Sequence, residues 1–284
     1  MRKSHYIALL AAVALIAAMY WGINTRPPKK EMAAGMPAAQ AGDNHQAVVT
    51  PASTDSILNA GKQALPEHAL GELTALEDKA KAQNTPAAKA GIYTEIGKLW
   101  QQHKQPAPAA WYYTEAAKLE NSEKSLNFAA RLNSDLLRNA ESPSVRAWAA
   151  QQAIAGFKQS LELNPNNDTV KMALASCYID GTGEPMQGIQ LLLGITREQP
   201  DNIPANLMLG QLSIRSGQLD KAAERFEKVI RIQPENTEAL YFLAEVYKGK
   251  GDKKKAIELL EECKRIINNP AFSKEIDDYI NSFK

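Results

Sequence analysis

Prolines stand at Pro165, Pro200 and Pro234, at intervals of 35 and 34 residues, each following a stretch whose apolar residues return every three or four positions. A period of this length constrains the fold more than any other feature of the chain. It is the length of one helix–turn–helix unit, too small to bury its own apolar face and stable only when stacked on copies of itself. Written at a period of 34, the registers align. The unit from Ile203 reads Leu209-Gly210, Gly217, Ala222, Phe226 and Pro234. From Thr237 it reads Leu240, Leu243-Ala244, Tyr247, Gly251, Ala256 and Leu260, with Pro270 slightly late. From Thr169 it reads Met172, Ala175-Ser176, Gly183, Leu192, Ile195 and Pro200, and from Ala90 it reads Tyr93, Ile96-Gly97, Trp100, Ala109, Tyr113 and Ala116.

The residue types have a physical logic. Small residues in the first helix (Gly97, Gly210, Ala244) and the second (Ala109, Ala222, Ala256) let two helix axes approach closely. Large ones (Tyr93, Trp100, Phe226, Tyr247) fill the space towards the next pair, Gly217 and Gly251 make the turn, and proline closes the second helix. On these residues the sequence resembles the tetratricopeptide repeat (TPR) family. The resemblance implies an all-α fold, an α-solenoid of antiparallel helix pairs coiled into a superhelix. The repeats fall over residues 90–269, as 90–123, 124–168, 169–202, 203–236 and 237–269.

The second unit departs from the pattern. Its later half is regular, with Ala153, Phe157 and Pro165, but its first helix, around Leu126–Asn139, has Phe128 and lacks the usual tyrosine and glycine. About ten extra residues, including Ala140-Glu141-Ser142-Pro143, are expected to lengthen the connection between its helices. Residues 56–89 read as N-terminal capping helices, Ser56–Leu65 and Pro66–Ala82, with Leu70, Leu73 and Leu76 on one side. Residues 270–284 read as a C-terminal capping helix with Phe272, Ile276, Tyr279, Ile280 and Phe283 at helical spacing, since an end repeat otherwise exposes its apolar face.

Ahead of the repeats the composition changes. From Tyr6 to Ile23 no charged residue interrupts 18 positions; its exit carries Tyr20 and Trp21, which suit the headgroup interface, and Arg26-Pro27-Pro28-Lys29-Lys30 follow. Residues 1–30 are therefore expected to be a signal anchor, with residues 6–23 as a single transmembrane helix, and 31–55 a disordered Ala/Gly/Pro-rich tether. The positive five-residue start favours a body on the outer side, in the periplasm if the membrane is a bacterial inner one. Residues 1–30 hold five Lys or Arg, leaving 28 basic against 32 acidic residues in the rest. A mildly acidic body without a basic stripe argues against nucleic acid.

Nothing in the chain spells out catalysis. The four histidines are isolated from cysteines and paired carboxylates, Cys177 and Cys263 sit among apolar neighbours two units apart, and no metal, cofactor or nucleophile motif occurs. No catalytic, metal or cofactor residues are assigned and the protein is expected not to be an enzyme. The family resemblance instead implies a concave groove lined by the first helices, where a protein or peptide partner would lie. Its positions carry over to Val170, Ala173 and Cys177 in the third repeat, Leu207, Gln211 and Ile214 in the fourth, Tyr241, Glu245 and Lys248 in the fifth, and Thr94, Lys98 and Gln101 in the first. The expected function is a membrane-tethered scaffold of an envelope assembly, one version of which resembles the anchored subunits that present apocytochrome to haem ligation. A structural homo-oligomeric spacer and a carrier of an apolar ligand in the groove are the alternatives.

Overall fold

A computed structural model describes residues 49–284, and every described element is an α-helix. Helices α1 (Thr54–Gln63) and α2 (Glu67–Lys81) precede five pairs: α3 (Pro86–Gln102) with α4 (Pro106–Glu120), α5 (Glu123–Asn139) with α6 (Pro143–Leu163), α7 (Asp168–Gly181) with α8 (Pro185–Glu198), α9 (Ile203–Arg215) with α10 (Leu219–Ile232), and α11 (Thr237–Gly249) with α12 (Lys253–Ile267). Helix α13 (Pro270–Asn281) closes the array. Each helix from α2 onward packs chiefly on its neighbours in sequence, which is what makes this a helical solenoid. The expected anchor, its span at residues 6–23 and most of the tether lie outside the described residues. Among the described residues no helix is long and apolar enough to cross a membrane.

Helix starts are fixed by side chains. Asn167, Asn202 and Asn236 cap the following first helices and Asn269 caps α13, accepting from the backbone N–H of Val170, Ala205, Ala239 and Phe272 at 3.2, 3.1, 2.9 and 3.2 Å. The asparagine lies two residues after Pro165, Pro200 and Pro234, so the proline ends one helix and the asparagine begins the next. Within pairs, close approach is obligatory. A Cβ on Gly188 would sit 2.5 Å from the carbonyl oxygen of Ala175, which explains why glycine replaces the alanine expected there.

The second pair corrects the sequence expectation. Its connection is short, Ala140–Ser142, and the added residues lie in the helices: α5 and α6 run 17 and 21 residues where α9 and α10 run 13 and 14. Ser142 caps α6 and Pro143 occupies its first turn, so a sequence that looks like a loop is a tight helix start. The lengthened ends have something to hold. Ala52 N–H donates to the Ser144 carbonyl at 2.9 Å, and Trp148 Nε1 donates to Thr54 Oγ1 at 3.2 Å. Ile57 is buried among Ala110, Leu136 and Trp148. Helix α1 thus lies across the first two pairs, packed on α4, rather than stacking as an end cap. The last residues expected in the tether, Ser53 to Asp55, are the cap and first turn of this helix. In α2 Leu73 is fully buried and Leu76 half-buried, whereas Leu70, expected on the same side, is exposed.

Candidate partner-binding face

The first helices of the pairs, α3, α5, α7, α9 and α11, repeat one face in register. Three rows run along it: Thr94, Phe128, Ala173, Leu207 and Tyr241; Lys98, Leu132, Cys177, Gln211 and Glu245; Gln101, Asp135, Asp180, Ile214 and Lys248. Steps are 34 residues except from α5 to α7, where the longer second pair makes them 45. The residues expected to meet a partner have divided fates.

In the third repeat Val170 and Cys177 are buried, at 3% and 0% exposure, and Ala173 packs against the same core. Leu207 is 8% exposed and belongs to the core of the last two pairs, with Ile214 packed on it. Gln211 is half-buried and donates to Glu238 on the next first helix at 2.9 Å. These positions tie successive pairs together.

Tyr241, Glu245 and Lys248 are half-buried, and α13 explains why. Tyr279, which continues the middle row 34 residues after Glu245, donates its hydroxyl to Glu245, accepts from Lys248, and stacks on Tyr241 with ring centroids 6.5 Å apart. The Lys248 ammonium lies 4.4 Å from the Tyr279 centroid and 5.4 Å from that of Phe283. Its pKa is raised, first by the hydrogen bond with Tyr279 and also by the Glu245 carboxylate. Burial pushes the Tyr279 hydroxyl upward as well, and the Glu245 bond adds to it. The C-terminal end of the face is therefore engaged from within the chain.

The N-terminal end is open. Lys98 and Gln101 are exposed, and Gln101 accepts from the Tyr113 hydroxyl at 3.0 Å. Phe128 is 49% exposed, the most exposed aromatic ring among the described large hydrophobics. Its ring meets Tyr113 edge-on at 5.2 Å beside a cleft of about 330 Å³ lined by Thr94, Ala117, Glu120 and Lys124. The family resemblance carries no groove position to Phe128, because the first helix of the second unit lacks the family's tyrosine and glycine. The signal was present, since Phe128 lies 34 residues after Thr94. Among the described residues no group of three His, Cys, Asp or Glu is placed to hold a metal ion, and both cysteines are free and buried.

Residues 213–272 match the tetratricopeptide repeat family, which supports that relationship for the segment from the end of α9 into α13. Similar solved structures include MamA from Desulfovibrio magneticus RS-1, at 20% identity and a TM-score of 0.48 over 63% of this chain and 95% of that one. A tetratricopeptide repeat protein from Parabacteroides merdae aligns at 14% identity and a TM-score of 0.48 over 81% of this chain and 92% of that one. YrrB, described as a TPR protein with an unusual peptide-binding site, aligns at 17% identity and a TM-score of 0.45 over 66% of this chain and 92% of that one.

Proposed function

We propose that this protein is a scaffold that binds a peptide or protein partner on the N-terminal half of its first-helix face, with Phe128 as the apolar anchor. The observation behind it is the half-exposed Phe128 ring beside an open cleft, on a face whose C-terminal end α13 already fills. An exposed aromatic held edge-on by a second ring is a rigid contact that orders little on binding, the kind of residue that dominates interface energy. Glu120 and Lys124 beside it put both signs of charge at the rim, where they select register more than they add affinity.

The partner is met at a membrane surface. That part rests on the uncharged run at residues 6–23 and the basic residues flanking it, with the repeats on the periplasmic side. Presentation of an apocytochrome is one form such a role could take, and none of the residues above selects that client over another. Blue-native and alkaline-wash fractionation of cells expressing the full chain tests the tether: a chain removed by carbonate is not anchored.

The partner site is tested by in-cell crosslinking and capture of the full-length protein, comparing wild type with Phe128→Ala and with Tyr241→Ala/Lys248→Ala. Loss of a specific partner from Phe128→Ala, with retention by the double variant, is expected. Equal recovery by all three proteins removes this face as the site. Sedimentation of residues 49–284 separates self-association from partner binding, because a strict monomer rules out a spacer assembled through the repeats.

A further inference from the structure

Where α1 crosses the first two pairs it does not fill the space beneath it. A cavity of about 430 Å³ remains between α1, the turn from α3 to α4, the end of α5 and the start of α6. That volume is within the range of small-molecule sites, roughly 300–1,000 Å³. Three features of the sequence create it. The added turns of α5 and α6 raise a wall carrying Leu136 and Val145. The opposite side is Pro106-Ala107-Pro108-Ala109-Ala110, whose short side chains leave room. The roof is α1, in which Ile57 and Gly61 alone are buried; Gly61 lies so close to Pro108 that a Cβ would approach its ring carbon to 2.8 Å, and Ala60 offers only a methyl.

We propose that this cavity is a binding site for a small, uncharged, mainly apolar molecule, with α1 as its closing wall. The lining decides the chemistry. It is mostly aliphatic, and no lysine, arginine or histidine belongs to it, so an anion such as a fatty acid carboxylate would enter without a counter-charge. Asp135, the one charged lining residue, is already paired with Arg138 at 2.5 Å. The polar lining groups are amides: Gln105, Asn139, and Gln101, whose oxygen accepts from Tyr113, leaving its NH2 as the end free to donate. An apolar body with one hydroxyl or carbonyl fits such a site. Its mostly apolar walls favour an apolar molecule that leaves water to bind there.

The test uses full-length protein and the uncharged fluorophore N-phenylnaphthylamine. Saturable binding of one probe per chain is expected, with α1 amides exchanging more slowly in its presence. Ala60→Trp and Ala107→Trp, which fill the cavity from opposite sides, should each weaken binding by about tenfold or more. Ala60 is exposed, so its variant keeps the fold, as an unchanged circular dichroism melt would verify. Phe128→Ala should leave probe binding unaltered, which separates this site from the Phe128 cleft, with which it shares no lining residue even though Gln101, Leu132 and Asp135 lie in the rows of the same face. The proposal is overturned if binding does not saturate, if folded Ala60→Trp binds normally, or if Phe128→Ala is the variant that loses the probe. Equal competition by laurate overturns the uncharged-ligand assignment.

Discussion

Single atoms set the spacing of this solenoid. At Gly188 a methyl group would collide with the Ala175 carbonyl at 2.5 Å, and with Ile179 as well. Gly194, six residues on in the same helix, has nothing within 4 Å of the equivalent point. Repeat-family practice would put alanine at 188, yet the geometry predicts the opposite result at the two sites. Gly188→Ala should lower stability by about 1–3 kcal/mol through overpacking. Gly194→Ala should raise it by about 0.5–1 kcal/mol through helix propensity. Urea denaturation of both variants decides, and a stable Gly188→Ala would mean that α7 and α8 slide apart at little cost. The thiols make a second residue-scale case. Burial, with the Glu262 carboxylate adding to it, pushes Cys263 up to about 11, and burial raises Cys177 too. Alkylation of both at pH 8 should be slow in the native protein and rapid once denatured. Fast native labelling would show that the helices around them open readily.

At the level of elements, the hydroxyl of Tyr112 on α4 donates to Glu77 on α2 at 2.7 Å, while Lys62 on α1 reaches the same carboxylate at 3.0 Å. Burial first, then the bond to Glu77, raises the Tyr112 pKa far above the ordinary tyrosine value near 10. A folded pKa above the unfolded one means the bond stabilises fully below about pH 10 and that the contribution is lost as pH rises beyond it. The thermal midpoint of the wild type should therefore fall steeply above that pH. Tyr112→Phe should cost about 1 kcal/mol at pH 8 and show a shallower alkaline fall, whereas parallel curves would deny the hydroxyl its role. This junction also shows what the sequence could and could not reveal. Pairs three to five were legible because each depends on contacts within some 34 residues, marked by proline, glycine and alanine at fixed offsets. The recurring asparagine caps at Asn167, Asn202 and Asn236 are written in the sequence at the same period. The seat of α1 was not legible, since Thr54 meets Trp148 across 94 residues and no periodicity encodes so distant a pairing. Ala140-Glu141-Ser142-Pro143 misled for a different reason: serine followed by proline suits a loop and a helix start equally, and it is the distant contacts of Ala52 with Ser144 and of Thr54 with Trp148 that distinguish them. In the candidate site the register placed these residues along one face, but exposure along it depends on α13, whose Tyr279 reaches back over three expected contact residues.

Across the described chain, apolar packing divides into two principal regions. One group of clusters unites α1 to α7 around Trp100, Phe157 and Leu126, and another unites α9 to α13 around Phe226 and Leu260. Between them a small cluster of Ala175, Leu192 and Leu209 joins α7, α8 and α9. In a solenoid, stability is a sum over units and their nearest-neighbour interfaces, so two well-packed regions uncouple where a thin interface joins them. Leu192 is fully buried at that joint, and Leu192→Ala should cost about 2–5 kcal/mol. More tellingly, it should uncouple the two regions. The described tryptophans, Trp100, Trp111 and Trp148, all precede α7, so indole fluorescence follows the N-terminal region alone while far-ultraviolet circular dichroism follows both. Trp21 lies outside the described residues and is changed to Phe in both proteins compared. With Leu192 in place the two signals should change together in urea, as a two-state transition requires. With alanine there, ellipticity should begin to fall at lower urea as α9 to α13 unfold, and fluorescence should follow only later. Transitions that remain coincident in Leu192→Ala would place the coupling outside this cluster, in the hydrogen bonds that cross the same junction, such as Gln199 Nε2 to Asp168 at 2.7 Å and Asn206 Nδ2 to the Pro200 carbonyl at 2.9 Å.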